Sequence, residues 1–491
     1  MAEQVEEPSM RPSDPWGGPK ILTKKRNGAY TWQVIAGSAT LGLVVAAGAV
    51  LAAGPWDNGQ RKAERALAAA GDRTGGAHHG RPTPDGPRPA PSAPAVLPAL
   101  GTTTHDAPQD PAALRDTLAP LIGDPGLGDK VAASVIDTAT GEQLYGQGAT
   151  TPMTPASTVK IATATAALSV LGPDHRIATT AALSPDSRTV TLVGGGDPTL
   201  SRAALREMAA DTADALREKD RGSVRLTYDV SRYTGPVLHP ISPNENIAPV
   251  TALMVNEGRV NDTDRGPAKR TEDPAGDAAR TFAAALEKAG VRVTGAPREA
   301  RAADEARTVA THRSAPLAAL VERTLTNSDN DIAEALARQT AIAKGESASF
   351  AGARRAVTNE LKKLEVPVAG AHFADGSGLD RADRVTPALL TALLARAADP
   401  DRPGLRTVLT GLPIAGFSGT LGDRYAPDAE GTGLIRAKTG TLFGVNSLAG
   451  TVVDRQGRLL AFAFLASGSL TAREAEPALD ALATAVAGTG A

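Results

Sequence analysis

The sequence predicts a mixed α/β (α+β) protein: one antiparallel sheet flanked by helices, a helical lobe beside it, and an inserted β-containing module. Three observations carry this. Both ends of the folded region read as a strand hairpin next to a helix. The middle holds a run of amphipathic helical segments. An interval of 171 residues separates two short polar words, Ser157-Thr158-Val159-Lys160 and Ser328-Asp329-Asn330, and contains strand-like runs that the helical lobe does not need.

At the start of the folded region, Ala112–Leu121 reads as a short helix and Lys130–Asp137 as an apolar strand suited to a sheet buried on both faces. A Thr138-Ala139-Thr140-Gly141 turn leads into a second strand, Glu142–Tyr145. A helix is expected from Ser157 to about Leu171, stopped by Gly172-Pro173. Near the C-terminus, Leu434–Thr439, Ser447–Val453 and Leu459–Ser467 read as strands, the last two joined by the polar hairpin 454–458, and Ala472–Val486 as a closing helix. The two end regions are expected to join in one sheet. Helices are expected at Asp277–Ala289, Leu317–Leu325, Ile332–Ala343, Phe350–Leu364 and Pro387–Ala398, and strands at Thr189–Val193 and Val224–Tyr228 on either side of a Gly194-Gly195-Gly196-Asp197-Pro198 loop.

The chain of 491 residues is long enough for two or three domains. Its charged and hydrophobic fractions, 22% and 42%, are those of an ordinary globular protein, and a net charge of −2 gives no bulk reason to bind nucleic acid. With 3% aromatics the core must be built of Leu, Val and Ala, and the absence of cysteine excludes disulfides, thiolate metal sites and a cysteine nucleophile. Val34–Gly54 carries no charge over 21 residues, follows the basic Lys20, Lys24, Lys25 and Arg26, and is flanked by Trp32 and Trp56. That length crosses a bilayer as a helix, and the flanks orient it with the N-terminus in the cytoplasm. We therefore expect a cytoplasmic tail (1–31), a membrane anchor (32–56), a proline-rich tether (57–110), a catalytic domain built from 111–182 and 311–491, and an insert spanning 183–310. A cleaved secretory signal ending near Ala47-Gly48-Ala49 is the other reading of the apolar run. Both place the folded part outside the cytoplasm, at the cell membrane or secreted. The tether, at roughly 3.1 Å per residue, reaches on the order of 100 Å.

Three words supply the chemistry. Ser157 and Lys160 stand three residues apart, so they share a helix face with Cβ atoms about 5–6 Å apart. A lysine desolvated there, and close to the positive charge of Lys438, loses its proton more readily and can act as base toward the Ser157 hydroxyl. Ser328-Asp329-Asn330 caps the helix that follows, offering Ser328 as a proton relay and Asn330 as a partner for a substrate amide or for the Lys160 head group. Lys438-Thr439-Gly440-Thr441 lies at the end of an apolar strand: Lys438 and Thr439 suit a carboxylate, Gly440 lets another backbone approach, and Thr441 offers an N–H that, with that of Ser157, forms an oxyanion hole. Ser242-Pro243-Asn244 repeats the Ser-x-Asn pattern, but it falls in the insert, which is not expected to line the cleft. Asp375-Gly376-Ser377-Gly378 reads as a turn bordering that cleft. His175, His239, His312 and His372 show no metal-ligand spacing and read as ordinary surface or core residues, so no metal is expected.

Placed in this order, the words resemble the low-molecular-mass, class C penicillin-binding proteins similar to penicillin-binding protein 4. Pro155-Ala156-Ser157-Thr158-Val159-Lys160, Gly194-Gly195-Gly196-Asp197-Pro198-Thr199-Leu200, Asp375-Gly376-Ser377-Gly378-Leu379 and Gly419-Thr420-Leu421 add to the likeness, which covers roughly 112–491. The resemblance implies a β-lactamase/transpeptidase-like fold with domains inserted after the Ser-x-x-Lys helix, and no metal or organic cofactor. It implies a serine-type D-alanyl-D-alanine carboxypeptidase or endopeptidase that cuts peptidoglycan stem peptides through an acyl-enzyme on Ser157 and is acylated by β-lactams. A serine β-lactamase, or a catalytically silent wall-binding protein of the same fold, are the alternatives.

Overall fold

The computed structural model describes residues 111–488 apart from 243, 426–428 and 470. The tail, apolar run and tether expected over 1–110 lie outside the described residues, among which no helix is long and apolar enough to cross a membrane.

In chain order the elements are α1 (Pro111–Ile122), β1 (Lys130–Asp137), β2 (Gln143–Gln147), α2 (Lys160–Leu171), β3 (Ala178–Leu183), β4 (Thr189–Val193), α3 (Arg202–Arg217), β5 (Ser223–Asp229), α4 (Pro274–Lys288), β6 (Arg292–Val293), β7 (Arg298–Glu299), β8 (Arg307–Arg313), α5 (Leu317–Asn327), α6 (Asn330–Ala343), α7 (Phe350–Lys363), α8 (Pro387–Ala398), α9 (Thr407–Thr410), β9 (Ile435–Leu442), β10 (Val445–Val453), β11 (Leu459–Ser467) and α10 (Ala472–Gly488). The first sheet runs β2-β1-β11-β10-β9 with every pair antiparallel, so the two ends of the folded chain do meet in one sheet.

Strand β11 shows why this sheet can be covered on both sides. Its sequence alternates small and large side chains. Ala461, Ala463 and Leu465 point into a core shared with α2, α5, α6 and α8, while Leu460, Phe462, Phe464 and Ala466 point into a second core shared with α1 and α10. Successive strand residues face opposite ways, so one strand feeds two cores. The alanine face lets α8 come close to the sheet, and α2 lies beyond it among α5, α6, α7 and α8. Helix α2 is buried through nine consecutive residues, Lys160 to Leu168, six of them Ala or Thr. It has no solvent side, and its threonines are satisfied internally: Thr165 Oγ1 donates to the Ile161 carbonyl at 2.7 Å and Thr163 Oγ1 to that of Gly376 at 2.7 Å.

The insert contains a sheet, as expected, and more helix than its strand-like runs suggest. Its sheet runs β6-β5-β4-β3-β8, with β7 also pairing β5. Strands β4, β5 and β6 are parallel, joined by α3 and α4 as crossover helices, while β3 pairs antiparallel with both β4 and β8. The module is therefore α/β, and helix α3 was absent from the strand-like reading of this stretch. The signal was present: Ser201 accepts from the Ala204 N–H as an N-cap, and Ala204, Leu205, Met208, Ala209, Thr212, Ala213 and Leu216 form a buried stripe with helical spacing. Its own apolar core, including Leu192, Leu205, Leu226 and Phe282, lies between the sheet and these two helices.

Candidate active site

The turn that carries Ser157 is built by the close approach of a strand and a loop. Residues Ala156–Val159 form a single 3₁₀ turn, and the α-helix begins only at Lys160, not at Ser157 as expected. Ala156 has φ 48°, a left-handed conformation that costs a non-glycine residue on the order of 1 kcal/mol and persists only where surroundings enforce it. The enforcing residues are two glycines. A Cβ on Gly440 of β9 would lie 2.6 Å from the Pro155 carbonyl oxygen, and one on Gly378 would strike the carbonyl oxygen of Ala156 and the Val159 side chain. A strand and a loop thus pinch the turn between them, and Ser447 Oγ on β10 donates to the Pro155 carbonyl at 2.6 Å to complete the hold.

The second word is the link between two helices. Ser328 ends α5 in the left-handed conformation (φ 59°), Asp329 caps α6 by accepting from the Ile332 N–H at 3.0 Å, and Asn330 opens α6, two residues earlier than expected. Along α6, Asn330, Glu334 and Arg338 recur every four residues and so form one polar stripe on a buried helix. Each has a task. Asn330 Oδ1 accepts from Lys160 Nζ at 2.7 Å. Glu334 Oε1 accepts from the N–H groups of Gly376 and Ser377 at 2.8 and 3.0 Å. The Arg338 guanidinium lies 4.2 Å from the centre of the Phe350 ring and 5.8 Å from that of Tyr233, a desolvated cation–π arrangement of the kind worth about 2 kcal/mol.

Lys160 is the meeting point. Its ammonium is fully buried and donates to Ser157 Oγ at 2.9 Å, Asn330 Oδ1 at 2.7 Å and the Ser377 carbonyl at 2.5 Å. Burial lowers its pKa to about 8, against the opposing attraction of Asp375, Asp329, Glu334 and Asp383. Lys438, also fully buried, is held well below the usual lysine range by burial, then by the charges of Lys160 and Arg424. The Lys438 ammonium donates to the Thr439 carbonyl at 2.9 Å. Thr439 Oγ1 donates to Thr420 Oγ1 at 2.8 Å, which joins the Gly419-Thr420-Leu421 stretch to the third word.

These residues converge on one cleft of about 440 Å³. Ser157, Ser328, Asn330, Thr420, Thr439 and Thr441 all line it. Strand β9, which carries Thr439 and Thr441, is the edge strand of its sheet, and Gly440 between them rests against the turn of Ser157. The insert also lines the cleft, through Asn246, Arg259, Gly266, Pro267 and Arg270, which corrects the expectation that it would stand clear. It reaches there because its buried charges pair with residues on either side of the Ser-Asp-Asn link. Arg270 donates to Asp331 at 3.0 Å, Arg323 of α5 pairs with Glu257, and Asn330 Nδ2 donates to the Asn246 carbonyl at 3.0 Å. Glu257, wholly buried, sits in a left-handed run, Asn256, Glu257 and Gly258, at φ 47°, 55° and 63°.

The 375–378 turn is more than a border. Asp375 Oδ1 accepts from the N–H groups of Ser377 and Gly378 at 3.0 and 2.6 Å, and Oδ2 from Ser377 Oγ and the Asp380 N–H, both at 2.9 Å. Burial alone would raise its pKa, but the bond from His239 and these donors hold it below the usual carboxylate range. Asp383 is raised well above its usual value by burial and by Asp375. His239 is thus a core residue, as expected, but one hydrogen-bonded at 2.8 Å to Asp375. Glu334 was not singled out from sequence, and Asp375 only as part of a turn bordering the cleft. For Glu334 the available signal was its i+4 spacing from Asn330.

Residues 114–266 and 261–486 match the model of the D-Ala-D-Ala carboxypeptidase 3 (S13) family. The chain belongs to this family. It is 39% identical over 422 residues to a carboxypeptidase of Mycobacterium tuberculosis, covering 81% of this chain and 88% of that one. It is 30% identical over 444 residues to a D-alanyl-D-alanine carboxypeptidase of an Actinomadura species, covering 72% of this chain and 81% of the relative. In structure it is similar to penicillin-binding protein 4 of Haemophilus influenzae, with a TM-score of 0.63, 22% identity, and coverage of 75% of this chain and 98% of that one. The S13 match and this structural likeness agree with the transpeptidase-like fold expected from the three words.

Proposed function

We propose that this S13 chain hydrolyses the D-Ala-D-Ala bond, and D-Ala-linked cross-links, of peptidoglycan stem peptides through an acyl-enzyme on Ser157. The observation that carries the reading is the hydrogen-bond set of Lys160. A protonated amine has three N–H donors, matching its three partners. A neutral amine has two donors and one lone pair. Asn330 Oδ1 and the Ser377 carbonyl are acceptors only, so they keep the two N–H bonds. The lone pair is left for Ser157, the one partner whose hydroxyl can donate. Deprotonating Lys160 therefore makes it a base aimed at the nucleophile.

In this reading Ser157 Oγ bonds to the carbonyl carbon of the penultimate D-alanine as its proton passes to Lys160 Nζ. The oxyanion is met by the N–H groups of Ser157 and Thr441. The peptide lies along the edge strand β9, where main-chain groups accept a further strand, and its terminal carboxylate is held by Thr439 with Lys438 behind it. The C–N bond breaks, the leaving amine takes a proton through Ser328, and water then hydrolyses the ester. A β-lactam enters the first half of the same path and leaves Ser157 acylated. The apolar run 34–54 and its basic flank support an extracytoplasmic catalytic part held at the cell membrane by a single N-terminal helix.

Labelled penicillin should place one covalent adduct on Ser157, seen by mass spectrometry of the tryptic peptide, and S157A should take none. Defined muropeptides should lose a terminal D-alanine. An unlabelled wild-type protein, or one that turns over a chromogenic cephalosporin rapidly, would reject this reading.

A further inference from the structure

We infer that His239, contributed by the inserted module, is a positioning residue for Lys160. It acts through the Asp375 carboxylate and the 375–380 turn. This deepens the proposed reaction and rests on Lys160 being its base. The path is a continuous set of hydrogen bonds. His239 Nε2 lies 2.8 Å from Asp375 Oδ2, and both side chains are buried, at 1% and 0% exposure. The backbone N–H of Ile241 donates to His239 Nδ1 at 3.3 Å, so Nε2 carries the hydrogen and is the donor. Phe350 meets the imidazole edge-on at 5.5 Å and fixes its plane. The carboxylate then ties down the turn at the N–H groups of Ser377, Gly378 and Asp380. The product of that folding is the Ser377 carbonyl, 2.5 Å from Lys160 Nζ, and a Gly378 Cα seated on Ala156, the neighbour of Ser157.

Besides its neighbour Asp383, the Asp375 carboxylate has four donors in the turn itself and one, His239, in the insert. The local four can form in any turn of this shape. Only His239 ties the turn to a different module. The groups whose charge Lys160 feels are Asp329, Glu334, Asp375 and Asp383, with Lys438 opposing them; those facing His239 are Asp375, Glu334 and Asp380. Without the His239 donor, Asp375 stays ionised on its four remaining bonds, its charge is less compensated, and Lys160 holds its proton more tightly.

The test compares H239Q and H239N in the full-length protein. A glutamine amide nitrogen reaches the place of Nε2, whereas an asparagine amide nitrogen reaches only that of Nδ1. The rate of acylation by a fluorescent penicillin is followed from pH 6 to 10, with thermal melting as the folding check. H239Q should acylate within roughly 3-fold of wild type with the same pH midpoint. H239N should melt cooperatively, react at least about 10-fold slower at pH 7, and show its midpoint about one unit higher, since one unit of pKa is a tenfold change in neutral lysine at fixed pH below it. An H239N protein with the wild-type rate, one that is slowed with an unmoved midpoint, or an H239Q protein as impaired as H239N would each overturn the inference. A wild-type protein that takes no penicillin would instead overturn the proposed reaction itself.

Discussion

Replacing Asn330 by aspartate tests the role of Lys160 most directly, because it changes one oxygen's charge and little else in shape. Asn330 Oδ1 lies 2.7 Å from Lys160 Nζ. At that separation a full negative charge attracts the ammonium by roughly 3–6 kcal/mol for an effective dielectric of about 20–40. One pKa unit is about 1.4 kcal/mol, so Lys160, held at about 8 by burial, should rise above ~10. With a pKa of about 8, roughly one molecule in eleven carries the neutral amine at pH 7; above ~10, fewer than about one in a thousand do. Acylation of N330D at pH 7 should therefore fall about 100-fold or more and recover as pH approaches 10. Aspartate also loses the donor to the Asn246 carbonyl, but that loss scales the rate equally at every pH and does not move the midpoint. Stopped-flow acylation with a fluorescent penicillin across this range separates the two effects. An N330D midpoint equal to that of wild type would show that Lys160 is not the titrating base.

Other perturbations follow from the same geometry. Gly440→Ala sets a methyl group against the Pro155 carbonyl and Ser447 Oγ, so the nucleophile turn must move; penicillin labelling should slow by more than about 10-fold while the melt stays cooperative. Thr439→Val removes the hydroxyl that bonds Thr420 at the carboxylate end of the cleft, and steady-state kinetics on a D-Ala-D-Ala peptide should show a raised KM with kcat less affected. Arg323→Met breaks a buried pair with Glu257, for which about 3 kcal/mol is the usual order of loss. The sign with pH is set by the acids it leaves behind. Burial first, then Asp329, raises Glu257 to about 8, and burial, then Asp329, raises Asp331 to about 7. Folded values above the unfolded ones favour the fold at low pH and lose that contribution as pH rises through about 7–8. R323M should therefore melt closest to wild type near pH 5 and fall furthest behind above pH 8, as read by calorimetry.

Much of the sheet was legible because it depends on local pattern. Lys130–Asp137, Leu459–Ser467 and Pro387–Ala398 begin and end where periodicity and turn residues place them. Ser157, Lys160, the Ser-Asp-Asn link and the Lys-Thr-Gly strand could be picked out because each word carries a recognisable set of functional groups at short spacing. Helix α3 was readable but passed over, since its Ala-rich stripe lies among strand-like runs. What the sequence determined by itself is therefore the chemistry on offer and the elements that bear it.

Tertiary structure alone decided which distant groups set the proton affinity of Lys160. Ser377 and Asp375 lie more than two hundred residues away, and His239 belongs to another module. No spacing rule connects them, because contact between modules is fixed by the packing of whole surfaces and not by the period of any helix or strand. The same holds for the left-handed backbone at Ala156. That conformation is imposed by Gly378 and Gly440 arriving from opposite sides, so it exists only once the sheet, the loop and the buried helix have closed around it.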